Sequence, residues 1–348
     1  MKRKINLYNI TISVFAIIGC IQLFSFSKKI LDIDFENTLF YAAKSHTLPD
    51  NINFCGEEVP LDSEDIKERL DKEIIKNTYW HSSILLFYKR LGKYFPIIEP
   101  ILKKNNIPDD FKYLAIAESG LKNVVSPAGA KGFWQFMEKT GIEYGLEINK
   151  EVDERYHLEK STQAACEYLN DAYKKFGSWT LVAASYNMGM YGLQKNLNRQ
   201  KVNSYYDLLL NSETSRYVFR IVSFKTILEN PSRYGFNLKE SDQYKAIKYK
   251  TVSLDSNVTN FAEFAIQQDI NYKILKIANP WLRQKYLKNV NKKRYLIKVI
   301  TSGHHKYSKI DSTMVDSNNL LKSDSLTLNK TINSDHRKTE SSLERKDE

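Results

Sequence analysis

Residues 108–120 read PDDFKYLAIAESG, and this stretch predicts a short buried helix that ends on a carboxyl group. A proline and two aspartates suit the positively polarised start of a helix, and Gly120 suits its end. Residues 113–117 carry no charge, which indicates burial. Glu118 follows them near the helix C-terminus, where burial and the helix dipole both favour a raised pKa. A carboxyl group that is protonated near neutral pH can act as a general acid, whereas the alternative for Glu118 is a packed stem with its carboxylate in solvent.

Helical patterning extends from this stretch in both directions. After Asp62, the residues Ile66, Leu70 and Ile74 recur every four positions with charges between them. Further helical patterns lie at residues 82–91, 96–105, 133–140, 161–176, 179–188 and 213–229. We therefore predict an all-helical domain over residues 62–235, preceded by a loosely ordered lead-in segment over residues 27–61.

The pattern changes after this domain. Residues 244–254 alternate apolar and polar side chains as a half-buried strand does, and residues 294–300 form a second candidate strand. Helical patterns at residues 257–268 and 272–278 lie between the two strands. We therefore predict a small β-α-α-β unit over residues 244–300, which makes the fold class mainly α with one small α+β unit.

The N-terminus resembles an export signal. Three basic residues at positions 2–4 precede an almost wholly apolar stretch at residues 10–26, so residues 1–26 predict a signal peptide or a membrane anchor. Within it, residues 17–20 read IIGC and look like the lipobox of bacterial lipoproteins, which makes Cys20 a candidate for acylation. The alternative is a cysteine that merely lies in a hydrophobic anchor. Either interpretation predicts export to the periplasm and association with the cell envelope.

We predict neither a disulfide between the other two cysteines nor a metal site in the polar C-terminal segment. Cys55 and Cys166 could pair in an oxidising compartment, but two thiols far apart in sequence do not form a disulfide framework, so we expect them to be unpaired. Residues 301–348 are rich in Ser, Asp, Asn and Lys and predict a disordered tail. His304 and His305 in this tail lack accompanying ligands, so no metal site is expected there.

The charge balance is basic, with 52 Lys and Arg against 41 Asp and Glu and a formal net charge of +11. The basic residues look scattered along the chain, which favours a solvated basic surface. The sequence has no zinc-finger spacing, Gly-rich phosphate loop or recognition-helix pattern. We therefore expect no nucleic-acid partner.

Two motifs carry side chains suited to a sugar polymer. Residues 132–135 read GFWQ, and residues 184–189 read ASYNMG. Gln, Asn and Tyr hydrogen-bond sugar hydroxyl and acetamido groups, while Trp and Tyr rings stack on sugar rings. Taken one at a time, Trp134 and Tyr186 fit better as core residues, so the case for a site depends on the motifs together.

Together the motifs resemble those of the family 1 lytic transglycosylases, which share a fold with soluble lytic transglycosylase and goose-type lysozyme, and in particular their membrane-bound D type. The resemblance covers about residues 95–230. The matching segments are Glu118-Ser119, SPAGAKGFWQFM at 126–137, Thr140-Gly141, VDER at 152–155, STQAA at 161–165 and ASYNMG at 184–189. The resemblance implies a lysozyme-like helical catalytic domain that cleaves peptidoglycan glycan strands.

The resemblance also implies roles for individual residues. Glu118 would be the catalytic acid and base. The substrate-binding residues would be Ser126, Gln135, Tyr186, Asn187 and Tyr217. Ser185 replaces the family's usual Ala before the Tyr-Asn pair, a small change that leaves the implied chemistry intact. No cofactor and no metal are implied.

The implied reaction needs one carboxyl group. Protonated Glu118 would donate to the glycosidic oxygen between N-acetylmuramic acid and N-acetylglucosamine, while the substrate's acetamido oxygen stabilises the positive centre. Glu118 would then take the C6 hydroxyl proton, and a 1,6-anhydro ring would close. No motif places a second carboxylate at the site, and a role for nearby Glu138 has no support. Two alternatives stay open, a lysozyme-like muramidase in which water attacks and a catalytically silent peptidoglycan-binding protein.

The C-terminal unit resembles a degenerate LysM module, a peptidoglycan-binding domain, with Asn279 closing its second helix. The usual Gly-Asp turn after the first strand is absent, and residues 255–257 read DSN in its place. The alternative is a small domain that only packs against the catalytic one. The expected partners are peptidoglycan strands and, through the N-terminus, a membrane, and we expect a monomer.

Overall fold

The structure is a computed structural model that describes residues 15–23, 25 and 45–303. Its helices are α1 (residues 15–23), α2 (Glu64–Tyr79), α3 (His81–Lys104), α4 (Phe111–Ser119), α5 (Glu138–Glu143), α6 (Leu158–Phe176), α7 (Trp179–Met188), α8 (Met190–Gln200), α9 (Thr214–Glu229), α10 (Phe261–Gln267) and α11 (Tyr272–Ala278). Its strands form three two-stranded antiparallel sheets, β1 (Asn53–Phe54) with β2 (Glu57–Glu58), β3 (Val124–Val125) with β4 (Lys131–Gly132), and β5 (Tyr249–Leu254) with β6 (Tyr295–Ile300). The predicted mainly α class is confirmed.

Several predictions concern residues outside the described ranges. They include the basic start at positions 2–4, most of the lead-in segment, and the polar tail with His304 and His305. Helix α1 lies within the predicted N-terminal segment, and Cys20 in it is an exposed free thiol. Among the described residues, no helix combines the length and the apolar character needed to cross a membrane.

Helices α2 and α9 form the centre of the helical domain. Ile66, Leu70 and Ile74 are all buried, as their four-residue spacing predicts. The Asn77 side chain on α2 donates a hydrogen bond to the Ser223 hydroxyl on α9 at 2.5 Å. This pairing holds α9 against the core, and α9 carries part of the candidate site in its first turn.

Helix α3 corrects the predicted pair of helices at residues 82–91 and 96–105. It is one continuous helix of 24 residues that contains Pro96 and Pro100. Proline removes a helical hydrogen bond and crowds the preceding turn, which is the usual reason for a break. Here one apolar face continues across both prolines and is buried, and that packing outweighs the local cost. The buried residues of this face are Ile84, Phe87, Leu91, Phe95, Ile98 and Leu102.

The helix predicted over residues 133–140 is also wrong at its start, because α5 begins only at Glu138. Gly132 and Gln135 have left-handed backbone angles, φ +85° and +50°, which are incompatible with a right-handed helix. Lys131 instead pairs with Phe136 in a short bridge. The segment before α5 is therefore a compact loop.

The last part of the predicted lead-in segment is not loose. The β1–β2 hairpin packs into the helical core through Phe54, which is fully buried and meets the Phe111 ring edge-on at 5.4 Å. The Glu57 carboxylate accepts the backbone N–H groups of Trp179 and Thr180 at the start of α7. A carboxylate suits this position because the first N–H groups of a helix lack partners and carry positive charge.

The C-terminal unit has the predicted β-α-α-β order. Its strand register pairs Leu254 with Tyr295, and its strands and helices begin or end within a few residues of the predicted bounds, the largest difference being a first strand that starts at residue 249 rather than 244. Asn260 and Asn271 cap the N-termini of α10 and α11 with their side chains. Phe261 and Leu275 form the centre of a small core of its own.

This unit also packs closely against the helical domain. Val152 and Tyr156 of the helical domain lie in the hydrophobic cluster of the C-terminal unit. The Asp153 N–H donates to the Trp281 carbonyl at 2.9 Å, and the Arg283 N–H donates to the Glu151 carbonyl at 2.7 Å. Backbone hydrogen bonds of this kind fix the unit in one position on the segment between α5 and α6.

Candidate active site

Glu118 lies in the last turn of α4, where the chain turns away at Gly120 with φ +60°. Residues 113–117 before it are all buried, as their lack of charge predicts, and Glu118 itself is only partly exposed. Burial disfavours the charged carboxylate and raises the pKa of Glu118 to about 7. The carboxyl group is therefore partly protonated near neutral pH, which a general acid requires.

Tyr217, in the first turn of α9, meets Glu118 directly. Its hydroxyl donates a short hydrogen bond to Oε1 of Glu118. Burial and then the Glu118 charge hold the pKa of Tyr217 well above its usual range, so the phenol keeps its proton and remains a donor. The two residues are 99 positions apart in sequence.

Two further charges of α9 and the turn before it act on the Glu118 carboxyl group. The Tyr217 hydrogen bond and the positive charge of Arg220 lower the pKa of Glu118, and the negative charge of Glu213 raises it. Burial is the largest effect, so the net direction is upward. Arg220 and Glu213 were missed in the sequence, although Arg220 lies three residues after Tyr217 and hence on the same helical face.

Gln135 and Ser126 belong to the loop that follows α4. The Gln135 amide donates to the carbonyls of Val124 at 3.2 Å and Gly132 at 2.8 Å. The Ser126 hydroxyl accepts the Ala130 N–H at 3.0 Å. Both side chains therefore stabilise the loop, and Gln135 retains its amide oxygen as an acceptor.

Tyr186 and Asn187 lie at the end of α7, beside the same group of residues. The Tyr186 hydroxyl donates to the Trp134 carbonyl at 2.8 Å, and burial followed by the Glu118 charge raises the pKa of Tyr186 well above its usual range. The Asn187 amide oxygen accepts from the Thr214 hydroxyl at 2.8 Å. The structure thus brings Tyr186 close to Glu118 and connects Asn187 to the start of α9.

The small substitution before this pair is accommodated without strain. Ser185 is fully buried, and its hydroxyl donates to the Val182 carbonyl of the same helix at 2.7 Å. The extra oxygen therefore has a partner in α7 and does not enter the site. Trp134 is fully buried as well and donates its indole N–H to the Thr162 hydroxyl, which is the core role considered for it.

Arg155 supports the loop from behind and was missed in the sequence. It is 1% exposed, and its guanidinium binds both carboxylate oxygens of Asp153 at 2.9 and 2.8 Å. Its carbonyl oxygen lies so near Gly132 that a Cβ there would be 1.9 Å away. Gly132 is thus the residue that permits this contact. The VDER motif contains Arg155, but nothing in the pattern indicates that the charge is buried.

Glu138, the other acid near the motifs, is not among the charges that shift the pKa of Glu118. Its side chain is 69% exposed and lies 4.0 Å from Arg155. Among the residues that the structure describes, no cluster of three or more His, Cys, Asp or Glu side chains could hold a metal ion. The site is thus one partly protonated carboxyl group bordered by two tyrosines, an arginine and an amide-containing loop, with a second acid, Glu213, near enough for its charge to act on Glu118.

Comparisons with known proteins fit this geometry. Residues 95–209 match the family described as Transglycosylase SLT domain. Residues 250–303 match the soluble lytic transglycosylase C-terminal LysM-like domain, so both predicted resemblances are confirmed. The SLT match includes Glu118, Gln135, Tyr186 and Asn187 but ends before Tyr217.

Curated relatives extend the similarity beyond the SLT domain. The chain is 31% identical over 221 residues to the membrane-bound lytic murein transglycosylase D of Escherichia coli K12 and of E. coli O6:H1. The alignment covers 61% of this chain and 48% of each relative, so the chain spans about half the length of these proteins. Among solved structures, an inactive mutant of the lytic transglycosylase Slt from Pseudomonas aeruginosa aligns over 44% of this chain and 26% of its own, with 16% identity and a TM-score of 0.32.

Proposed function

We propose that this protein is a peptidoglycan lytic transglycosylase that cleaves the β-1,4 bond between N-acetylmuramic acid and N-acetylglucosamine and leaves 1,6-anhydro ends. The observation that carries the proposal is a Glu118 carboxyl group with a pKa of about 7 inside an SLT domain. The proposed reaction needs no cofactor and no metal. In the cell it would remodel the wall, and its substrate would be the glycan strand itself.

Glu118 would act first as an acid and then as a base. Its protonated form donates to the glycosidic oxygen, and the substrate's own acetamido oxygen stabilises the positive sugar carbon. The resulting carboxylate accepts the C6 hydroxyl proton while that oxygen closes the anhydro ring. The Tyr217 hydroxyl donates to Oε1 and holds the carboxyl group in place during both steps. The amide oxygen of Gln135 and the Tyr186–Asn187 pair would border the bound sugars.

A single carboxyl group favours this reaction over most hydrolytic ones. Glycosidases usually flank the bond with two carboxylates, one of which activates water or attacks the sugar. Glu213 is the acid whose charge acts on Glu118, and its own carboxylate is hydrogen-bonded by the Asn187 amide at 3.3 Å. A muramidase remains the second candidate because it would use the same Glu118 with water in place of the C6 hydroxyl.

Mass spectrometry of digested sacculi separates these candidates. The lyase releases muropeptides with anhydro ends, and a muramidase adds the mass of one water to every product. Products with only reducing muramic ends would contradict the lyase. A chain that binds sacculi and releases nothing would be the silent binding protein.

We also propose that the N-terminus directs export to the periplasm and attaches the chain to the envelope as a monomer. Residues 1–26 would be either a lipoprotein signal acylated at Cys20 or an uncleaved anchor. Intact-mass measurement of the protein from membranes distinguishes the two, because acylation adds lipid mass and removes the first nineteen residues. A Cys20→Ser variant should lose the lipid mass in the first case and be unchanged in the second.

A further inference from the structure

The positive charge of this chain is concentrated in one place. Residues 244–303 contain twelve Lys and Arg against three Asp and Glu, a formal charge of +9 out of the chain's +11. The basic residues themselves are scattered as expected, since 40 of the 52 lie elsewhere, but the net charge is concentrated here because this unit has few acids. Ten of these twelve cationic residues are exposed, so the C-terminal unit presents a strongly basic surface.

Half of these cations lie in a single connection. Residues 283–294, which we call the basic loop, join α11 to β6 and read RQKYLKNVNKKR, with six cations and no acid. Val290 at its centre is 82% exposed, among the largest exposures of any apolar side chain in the described residues. Val290 is the one exposed apolar side chain of the basic loop, and exposed Lys288, Lys292 and Lys293 flank it in sequence.

The basic loop is held rigidly by buried Asn289. The Asn289 amide donates to the Lys293 carbonyl at 2.6 Å and its oxygen accepts the Lys293 N–H at 2.9 Å. Its own N–H donates to the side chain of Asn257 at 2.7 Å. Paired backbone bonds between Val258 and Leu287, both 2.8 Å, fix the base of the loop. Val290 is thus presented at the tip of a turn that is already hydrogen-bonded, which lowers the cost of ordering the backbone on binding.

The acids of the helical domain offset only part of this charge. Lys293 forms an ion pair with Glu147, and the Lys288 backbone N–H, not its ammonium group, binds the Glu151 carboxylate at 2.6 Å. Arg294 donates to the Ser253 hydroxyl, which leaves its charge unneutralised. Lys285 and Lys292 are exposed. Arg283 stacks on the Tyr156 ring and Lys293 is paired with Glu147. The other four of the six cations are therefore available to bind an anionic partner near Val290.

We propose that the basic loop binds the anionic phospholipid surface of a membrane. Cations attract the acidic headgroups, and a rigid apolar tip enters the boundary between headgroups and acyl chains. A wall peptide would meet the cations equally well, but Val290 offers it no hydrogen bond. A nucleic acid would be recognised through stacking or base-edge contacts, and the Val290 side chain offers neither. Docked in this way, the unit would hold the SLT domain beside the bilayer.

A fluorescent probe at the loop tip tests this directly. The full chain with Cys20→Ser receives Val290→Cys, labelled with an environment-sensitive dye, and is mixed with phosphatidylcholine vesicles with or without phosphatidylglycerol. Burial raises the pKa of the Cys166 thiol to about 12 and that of Cys55 still further, so both stay unreactive near neutral pH. Leu209→Cys is the matched control, because Leu209 is also 82% exposed but lies on the helical domain.

The expected result is a blue shift of the probe at position 290 with phosphatidylglycerol only, reversed by high salt, and no shift at position 209. Lys288→Gln with Lys292→Gln should weaken the phosphatidylglycerol-dependent docking that the probe at position 290 reports by about thirtyfold, whereas Lys104→Gln with Lys195→Gln should not. No shift at position 290, or equal shifts at both positions, would overturn the proposal. A second result would also overturn the proposal. If the chain bound sacculi but not vesicles, and if the loop variant abolished this salt-sensitive binding, the loop would bind carboxylates of the wall.

Discussion

The Glu118 carboxyl group and the cations of the basic loop differ in their exposure to water. Glu118 is enclosed by α4 and α9, and the loss of water around it moves its pKa from 4.5 to about 7. The cations of the basic loop are exposed to water. Lys276 lies between these extremes, and partial burial followed by the charge of Arg283 lowers its pKa to about 8. The loss of surrounding water therefore moves the pKa values of both Glu118 and Lys276 towards neutral pH, although one is an acid and the other a base.

The largest expected effect comes from removing the enclosed carboxyl group. Glu118→Gln keeps the shape of the side chain but cannot donate and then accept a proton, so glycan cleavage should fall by about a thousandfold or more. Release of soluble muropeptides from sacculi measures this. Glu138→Gln is the control, because Glu138 is 69% exposed and should leave cleavage nearly unchanged. An active Glu118→Gln protein would end the proposed mechanism.

Removing the buried cation should affect stability most. Arg155→Met leaves the buried Asp153 carboxylate with only the Lys131 ammonium group, 3.5 Å away, so the free energy of unfolding should fall by about 3 kcal/mol. Denaturant unfolding at neutral pH measures the change. The double variant Arg155→Met with Asp153→Asn removes both charges and should recover part of the loss. A single variant as stable as the parent would show that the pair is not desolvated as its 1% exposure indicates.

The raised pKa of Glu118 should also make stability depend on pH. The folded protein binds this proton more tightly than the unfolded chain, so its contribution is fully present below pH of about 4.5 and is lost as pH rises to about 7. The loss amounts to about 3 kcal/mol. Glu118→Gln should therefore be more stable than the parent above pH of about 7, and this difference should shrink in acid. Thermal unfolding across this pH range measures it, and a constant difference would contradict the pKa shift.

Tyr217→Phe should have a smaller, two-part effect. Loss of a hydrogen bond to a charged group costs about 1.5–3 kcal/mol, so kcat should fall by about 10- to 100-fold. Because Tyr217 lowers the pKa of Glu118, its removal should also move the alkaline limb of the pH profile upward. Tyr113→Phe is a matched control, since Tyr113 lies on α4 with Glu118 but its hydroxyl donates to Glu229, at 3.3 Å. A loss of activity with an unmoved limb would mean that Tyr217 acts only on folding.

The smallest effect is expected on the basic loop. Lys285→Gln removes an exposed charge that forms no ion pair among the described residues, so the free energy of unfolding should change by less than about 0.5 kcal/mol. Chemical denaturation measures this. A larger change would mean that the charges of the loop stabilise the fold. The loop charges and Glu118 would then differ only in how much they affect the free energy of unfolding.

Local patterns predicted much of the fold. The spacing of Ile66, Leu70 and Ile74 identifies the buried face of α2, and the change from helical to alternating patterns predicts the C-terminal unit. The uncharged run before Glu118 predicts its burial and the direction of its pKa. These features depend on residues within one or two turns of each other, which is the range over which a sequence pattern reports structure.

Other features could not be predicted because they depend on long-range packing. Helix α3 continues through Pro96 and Pro100 because its apolar face is buried against the rest of the domain. The β1–β2 hairpin joins the core through Phe54 and Phe111, which are distant in sequence. In each case the energy that decides the local conformation comes from partners that the local sequence does not contain.

The sequence by itself determined that Glu118 lies at the end of a buried helix among motifs of a lytic transglycosylase, and that the chain carries a net charge of +11. Only the tertiary structure decided that Tyr217 meets this carboxyl group across 99 residues, that Arg155 lies buried behind the Gly132 loop, and that the basic loop is presented on a rigid turn. The physical reason is that a pKa and a binding surface depend on which groups share a space and how much water reaches them. Neither quantity is a property of the chain until it has folded.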